Sequence, residues 1–217
     1  MDSINRVISA LRKTSDVNEP ADLRITDDPV ELFRAWLQEA LDNGMPEPNA
    51  MHLSTVGSGG KPSSRVVLLR AVNTDGFVFY TNYNSIKGQQ LAQVPYAALG
   101  FFWAQLQKQV RVEGRCEKID VSESDNYFRT RPRESQIGAL ASAQSRPLDS
   151  RYELERKVVE LSRSYEGKEI VRPAWWGGFR VVPEVIEFWM GRSNRLHDRI
   201  RYERTTEDKW TSTRLYP

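Results

Sequence analysis

Val110-Arg111-Val112-Glu113-Gly114-Arg115-Cys116 alternates apolar with charged or small residues, a two-residue period that only a strand with one buried face satisfies. It sits in Gln109 to Ile119, the longest of a series of β runs. Before it come Met51 to Val56, closed by Gly57-Ser58-Gly59-Gly60-Lys61-Pro62, and then Arg65 to Ala71. Asn73-Thr74-Asp75-Gly76 turns the chain into Phe77 to Thr81, and Ala97 to Trp103 reads as another strand. Strands joined by tight turns predict a closed or partly closed antiparallel barrel. Helices flank it. Asp28 caps the first, with Pro29 in the opening turn, Phe33, Trp36, Leu37, Ala40 and Leu41 on one face, and Gly44 at the stop. Others are expected from Ser85 to Gln90, Ser122 to Arg129, after Ser135, and Ser150 to Tyr165. A last β region holds Trp175 to Phe179, Val185 to Trp189, Leu196 to Glu203 and Trp210 to Leu215. The fold class is mainly β with peripheral helices: an arm over residues 1–26, with a helical stretch around Ile4 to Leu11, and one domain over 27–217.

At 217 residues, 39% hydrophobic and 28% charged, the chain has an ordinary globular composition. Its net charge of +2 is too mild for a nucleic-acid binder. The arginines cluster at Arg129, Arg131 and Arg133 and at Arg192, Arg195, Arg199 and Arg201. Such clusters suit small anionic ligands, or else they are solvated salt-bridge partners. Cys116 is the single cysteine, which excludes an intrachain disulfide, and its parity with Val110 and Val112 makes it a core residue. No run approaches a membrane span and the first residues lack a signal peptide's apolar segment, so the expected setting is the cytosol.

Several chemistries are excluded. With His52 and His197 as the only histidines and no carboxylate cluster at ligand spacing, no metal site is expected. Gly57-Ser58-Gly59-Gly60 lacks the lysine of a P-loop, and no serine-hydrolase elbow is present. In an extended Asn194 to Arg199, Arg195, His197 and Arg199 share a side. Two guanidiniums and an imidazole on one face call for an anion or an aromatic heterocycle opposite, or for surface acids such as Glu187 and Asp198. Tyr127 to Ser135 offers a phenol, three guanidiniums and a hydroxyl, with Pro132 restricting Arg131 to an extended conformation. That is a phosphate-monoester grip, or a basic helix end complementing its dipole.

Taken in order, these segments resemble the pyridoxamine 5′-phosphate oxidase family. The matching strings are Arg65-Val66-Val67-Leu68-Leu69-Arg70, Phe79-Tyr80-Thr81-Asn82, Gln109 to Gly114, and Tyr127-Phe128 leading to Arg131-Pro132-Arg133-Glu134-Ser135-Gln136-Ile137-Gly138-Ala139. Gln144-Ser145, Trp176-Gly177-Gly178, Ile186-Glu187-Phe188-Trp189, Arg195-Leu196-His197-Asp198-Arg199 and Arg214-Leu215-Tyr216-Pro217 follow. Together they cover residues 28 to 217. The Arg-Leu-His-Asp-Arg string separates this oxidase from other split-barrel flavoproteins.

The resemblance implies an FMN-binding split β-barrel, a homodimer with FMN at the subunit interface, that oxidises pyridoxine 5′-phosphate or pyridoxamine 5′-phosphate to pyridoxal 5′-phosphate. Dioxygen is the implied acceptor and hydrogen peroxide the by-product. By position, FMN meets Arg65, Val66, Val67, Leu68, Leu69, Arg70, Tyr80, Thr81, Lys87, Gln109, Gln144, Ser145, Trp189 and Arg199. Of these, Arg65 and Lys87 take its phosphate, and Gln109, Trp189 and Arg199 lie near its ring. Substrate phosphate falls to Tyr127, Arg131 and Ser135 with Arg70 assisting. Arg195, Leu196 and His197 hold the pyridine ring, Arg195 and His197 being the catalytic pair. The other reading is a split-barrel flavin- or ligand-binding module without oxidase activity.

Four positions depart from the family pattern. Arg70 stands for a lysine, Ile86 for an arginine that would add an FMN-phosphate contact, Ser15 for a tyrosine of the substrate-covering arm, and Tyr216 for a small residue. Arg65 and Arg70, five residues apart, would also face opposite sides of a regular strand.

Overall fold

The structure, a computed structural model, describes residues 4–5 and 22–217. The Ile4 to Leu11 stretch lies outside the described residues save Ile4 and Asn5, which are helical, and the arm residues Leu11 to Ser15 lie outside them altogether. The described chain is built around one antiparallel sheet of nine strands. β1 (Ala50–Val56) and β2 (Pro62–Leu68) form a hairpin, and β3 (Ala71–Asn73) and β4 (Gly76–Asn82) a second. β5 (Tyr96–Trp103), β6 (Lys108–Lys118) and the 15-residue β7 (Trp176–Met190) complete the path β2-β1-β5-β6-β7-β4-β3. β8 (Asp198–Arg204) adds to β7, and β9 (Trp210–Arg214) to β8. The sheet curls until β2 comes up against β4, making the expected split barrel.

Local sequence accounts for the turns. Asn73 Oδ1 accepts from the backbone N–H groups of Asp75 and Gly76, and Gly76 sits at φ +143°, a conformation that excludes side chains. Cys116 is buried with Val110 and Val112, and burial pushes its thiol up to about 12. α1 (Pro29–Asp42) is capped by Asp28, whose Oδ1 accepts from Val30 and Glu31 N–H. The capping box is not reciprocal, because the Glu31 carboxylate turns instead to Arg34.

α1 plugs the barrel. The Phe33 ring meets Phe77 and Phe101 edge-on at 4.9 and 4.8 Å, and Trp36 meets Phe188 at 5.1 Å. Leu41, expected on this face, is exposed. Phe33→Ala is expected to lower unfolding stability by about 3–5 kcal/mol; a urea midpoint unchanged from the parent would contradict this assignment of the core.

α2 (Ile86–Gln93) lies beside β1 and adds Leu91 to the main core, while a smaller apolar cluster of Phe128, Ile137, Ile170 and Trp176 gathers α3 (Val121–Thr130), α4 (Arg133–Ala141) and α5 (Arg151–Ser164). Among the described residues no helix is long and apolar enough to cross a membrane.

Three sequence expectations are corrected. The run from Arg65 to Ala71 is not one strand: β2 ends at Leu68, and the chain changes partner there. Leu69 N–H donates to Asn49 O and Arg70 N–H to Val78 O, so the backbone crosses from β1 to β4 at this point. Trp176–Phe179 and Val185–Trp189 belong to the single strand β7, with Trp175 in the turn before it, and the pairing of β7 with β6 shifts register at Glu113/Gly114. The Asn194 to Arg199 segment is not extended. Ser193–Arg195 forms a 3-10 turn with Asn194 and Arg195 at φ +57° and +64°, and β8 starts only at Asp198. Arg195, His197 and Arg199 therefore do not share a strand face.

Candidate active site

The change of partner at Leu69 removes the parity problem between Arg65 and Arg70. Both line one cavity of about 410 Å³ with Val66, Val67, Leu68, Tyr80, Thr81, Lys87, Tyr127, Arg131, Gln144 and Trp176. Four cations face this space, and among the described residues no carboxylate lines it. Like charges gathered in a partly desolvated hollow are unfavourable unless an anion joins them.

Arg65 and Lys87 are held by neutral groups. Arg65 donates to Leu53 O at 3.1 Å, Thr55 Oγ1 at 2.6 Å and Ser63 Oγ at 2.7 Å. Lys87 is buried in the first turn of α2, behind the N-cap Ser85, and donates to Gln144 Oε1 at 3.1 Å. Burial, reinforced by Arg65, brings its ammonium down to about 8. Thr81 Oγ1 donates to the same Gln144 oxygen at 3.2 Å. Ser145 follows in the left-handed region at φ +70°.

Arg131 follows α3 in the extended conformation that Pro132 imposes. Its guanidinium lies 4.6 Å from the Trp176 ring centre, and its buried Nη1 has no hydrogen-bond partner. Burial lowers its affinity for the proton first, and Arg70 adds to that. Ser135, on the first turns of α4, lines an adjoining cavity of about 380 Å³ with Arg131, Thr81 and Gln144. Tyr80, Tyr127 and Trp176 stack as one wall: Tyr80 lies 3.8 Å from Tyr127 and 5.5 Å from Trp176. Burial, with Glu123 adding to it, pushes the Tyr80 phenol up to about 12. Gly178 lets this wall close, since a Cβ there would collide with Ile119 and press on Tyr80.

The other site residues form a separate group. Gln109, Trp189 and Arg199 are consecutive register partners across β6, β7 and β8. His197 packs against Trp189 with ring centres 4.6 Å apart, and its Nδ1 accepts the Arg192 backbone N–H at 3.0 Å. Burial and then Arg195 depress its pKa, so the ring is neutral with its proton on Nε2. Arg195 and Leu196 are exposed. Arg199 is held by the buried Glu187 at 2.8 Å and by Tyr216 O at 3.0 Å. Neither cavity is lined by any member of this group. Trp176 and Trp189 lie 13 residues apart on β7, about 40 Å of strand contour.

Two contributors escape a sequence reading centred on charged residues. Trp176 forms the floor beneath Arg131; its signal is the aromatic pair Trp175-Trp176 before two glycines. Gln90 accepts from Thr55 and Ser63, the hydroxyls that steady Arg65. An unremarkable helix glutamine carries no sequence signal for that.

Comparison with known proteins gives the family. The family model described as pyridoxamine 5′-phosphate oxidase matches residues 37–164. That of the pyridoxine 5′-phosphate oxidase C-terminal dimerisation region matches residues 176–217. The pyridoxine/pyridoxamine 5′-phosphate oxidase of Trichormus variabilis is 48% identical over 214 residues, 99% of this chain and 100% of its own. That of Thermosynechococcus vestitus is 53% identical over 191 residues, 88% of this chain and 90% of its own. Among solved structures, PhzG from Burkholderia lata, in complex with tetrahydrophenazine-1-carboxylic acid, has a TM-score of 0.86 at 32% identity and covers 94% of this chain and 100% of its own. A pyridoxamine 5′-phosphate oxidase-related, FMN-binding protein from Nostoc punctiforme, with a TM-score of 0.70 at 17% identity over 88% of this chain and 98% of its own, shares the fold. Matched along most of its length by the family's two models and by full-length relatives, the chain belongs to the pyridoxine/pyridoxamine 5′-phosphate oxidase family.

Proposed function

We propose that the chain binds FMN and oxidises pyridoxine 5′-phosphate or pyridoxamine 5′-phosphate to pyridoxal 5′-phosphate. The observation that carries this reading is the acid-free cavity with Arg65, Arg70, Lys87 and Arg131 on its walls. Both FMN and substrate are phosphate monoesters, and Arg131 Nη1, buried without a partner, fits a phosphate oxygen. Arg65 and Lys87 take the FMN phosphate, with Thr81, Gln144 and Ser145 beside them. Arg131, Tyr127 and Ser135 take that of the substrate, with Arg70 between the two.

FMN, held at its phosphate by Arg65 and Lys87, would supply the two-electron acceptor for oxidation at C4′ of the substrate, with dioxygen as the final acceptor and hydrogen peroxide as by-product. The chain's residues position the reactants. Neutral His197, with Nδ1 engaged, offers Nε2–H to the substituent of the pyridine ring, and Arg195 steadies that ring against the flavin. Arg199 and Gln109 would supply positive charge and hydrogen-bond donors beside the flavin ring.

The chain works as a homodimer, in keeping with the dimerisation region over residues 176–217. We place FMN between the two subunits, its phosphate on Arg65 and Lys87 of one, and its ring beside Gln109, Trp189 and Arg199 of the other. The separation of the two residue groups along β7 supports that arrangement. The unpaired Cys116 suits a cytosolic setting.

The deciding assay incubates FMN-loaded protein with pyridoxine 5′-phosphate in air and follows aldehyde and peroxide. Equimolar appearance of both is expected; FMN binding without either product would leave the ligand-binding module as the reading. Ile86, exposed at the first residue of α2, withholds a cation from the phosphate end. Ile86→Arg is expected to tighten FMN binding about tenfold, one charge-assisted hydrogen bond. Equal dissociation constants by flavin fluorescence would end that idea.

A further inference from the structure

The loop between β7 and β8 carries Arg195 and His197 and holds a conformation that sequence alone would not favour. Asn194 and Arg195 are both left-handed, a conformation the surroundings must hold in place. Leu196 N–H returns to Ser193 O at 3.1 Å inside the turn, and the Met190–Asp198 ladder pair closes its base. Side chains brace the segment between them. Arg192 Nε and Nη2 both donate to Asp198 Oδ2, at 2.8 and 2.6 Å. Asp198 Oδ1 accepts from Arg214 Nη1 at 3.3 Å. The Arg192 side chain is 13% exposed and that of Asp198 23%, so this pair is shielded from screening more than an ordinary surface pair.

We propose that Arg192 and Asp198 are positioning residues for His197. The ion pair joins the residue after Gly191 to the first residue of β8. That separation is the one at which the Arg192 backbone N–H reaches His197 Nδ1. With the pair intact, Nδ1 is committed as an acceptor and the ring presents Nε2–H outward beside Trp189. With the pair broken, the separation between residues 192 and 197 loses its Arg192–Asp198 brace, and the tautomer preference and orientation of the imidazole weaken. Arg214 extends the clamp, since its Nη2 also donates to Leu23 O at 3.1 Å, anchoring Asp198 to the segment leading into α1. This inference rests on the proposed catalytic role of His197.

The test uses the FMN-loaded dimer and the variants Arg192→Met and Asp198→Asn, each alone and combined with His197→Asn. Arg192→Met keeps the backbone N–H and removes the side-chain contacts to Asp198 and Asp22, whereas Asp198→Asn leaves the Asp22 contact in place. Each clamp variant is expected to lower kcat/KM for pyridoxine 5′-phosphate at least about tenfold, as a misplaced catalytic group does, with the FMN dissociation constant unchanged. In the His197→Asn background neither is expected to cost a further twofold, because the group they position is gone. With only two histidines in the chain, ring nitrogen NMR reads the same event without turnover. The His197 signals are expected to shift in Arg192→Met while those of His52 stay. A parental kcat/KM in Arg192→Met, the same loss with and without His197, or unmoved His197 nitrogen signals would each overturn the proposal. A parental rate in His197→Asn alone would instead overturn the catalytic reading, and the nitrogen signals would still decide the clamp. If Asp198→Asn does not fold, Arg192→Met alone answers both questions.

Discussion

Replacing Arg195 by Met and His197 by Asn in one chain is expected to lower kcat for pyridoxine 5′-phosphate by about 10²–10⁴-fold, the range associated with losing a positioned proton donor together with substrate orientation. FMN affinity is expected to stay near the parental value, since Arg195 and His197 line neither cavity that holds the phosphate grips. The fold is expected to survive as well, because Arg195 is exposed and the loop adds nothing to the apolar core. Stopped-flow flavin reduction under anaerobic conditions isolates the step. A double variant that reduces its flavin at the parental speed would show that the active centre lies elsewhere.

Lys87→Met is expected to act with opposite signs on two properties. The loss of a buried ammonium facing a phosphate removes a charge-assisted hydrogen bond, about 1.5–3 kcal/mol, so FMN binding weakens by about 10- to 150-fold. The flavin-free chain becomes more stable, because Lys87 is buried with Arg65 nearby and without a carboxylate in its cavity. The pH dependence follows from the same depressed pKa. In the flavin-free chain Lys87 titrates at about 8 instead of 10.5. Between those two values the unfolded chain binds the extra proton, so this group makes the flavin-free protein more stable as pH rises. FMN binding has the opposite trend. A phosphate raises the Lys87 pKa, so affinity is at its full value below about pH 8 and falls as pH climbs past it, where binding must draw a proton from solvent. Fluorescence titrations of both proteins from pH 7 to 9.5 check this. A parental affinity flat across that window, or a Lys87→Met chain that retains the decline, would remove Lys87 from the phosphate site.

Much of the barrel is legible from local patterns. Cys116 falls in the core by parity with Val112, the Asn73–Gly76 turn closes as its residues demand, and Asp28 and Ser150 cap the helices that follow them. These rest on contacts within a few residues, where spacing and side-chain chemistry are sufficient. The errors share the opposite character. Arg65 and Arg70 stand on opposite sides only if the strand is continuous, and it ends because residues 69 and 70 find partners at Asn49 and Val78. The shared face imagined for Arg195, His197 and Arg199 assumed an extended segment, whereas a bond from Arg192 N–H to His197 Nδ1 and the Arg192–Asp198 pair hold a left-handed turn.

The order of motifs along the chain was enough to identify the family and to nominate residues for a site, since each string keeps its own local chemistry. Which of those residues meet was decided by folding alone. Lys87 reaches Gln144 across 57 positions, and Arg131 lies over a tryptophan 45 positions further on. Such approaches depend on how a curled sheet and a docked helical lobe pack, and no periodicity in a linear sequence records them. The same packing leaves Trp189 and His197 together at one end of β7 and the phosphate cavity at the other, an arrangement of surfaces that exists only once the sheet has closed.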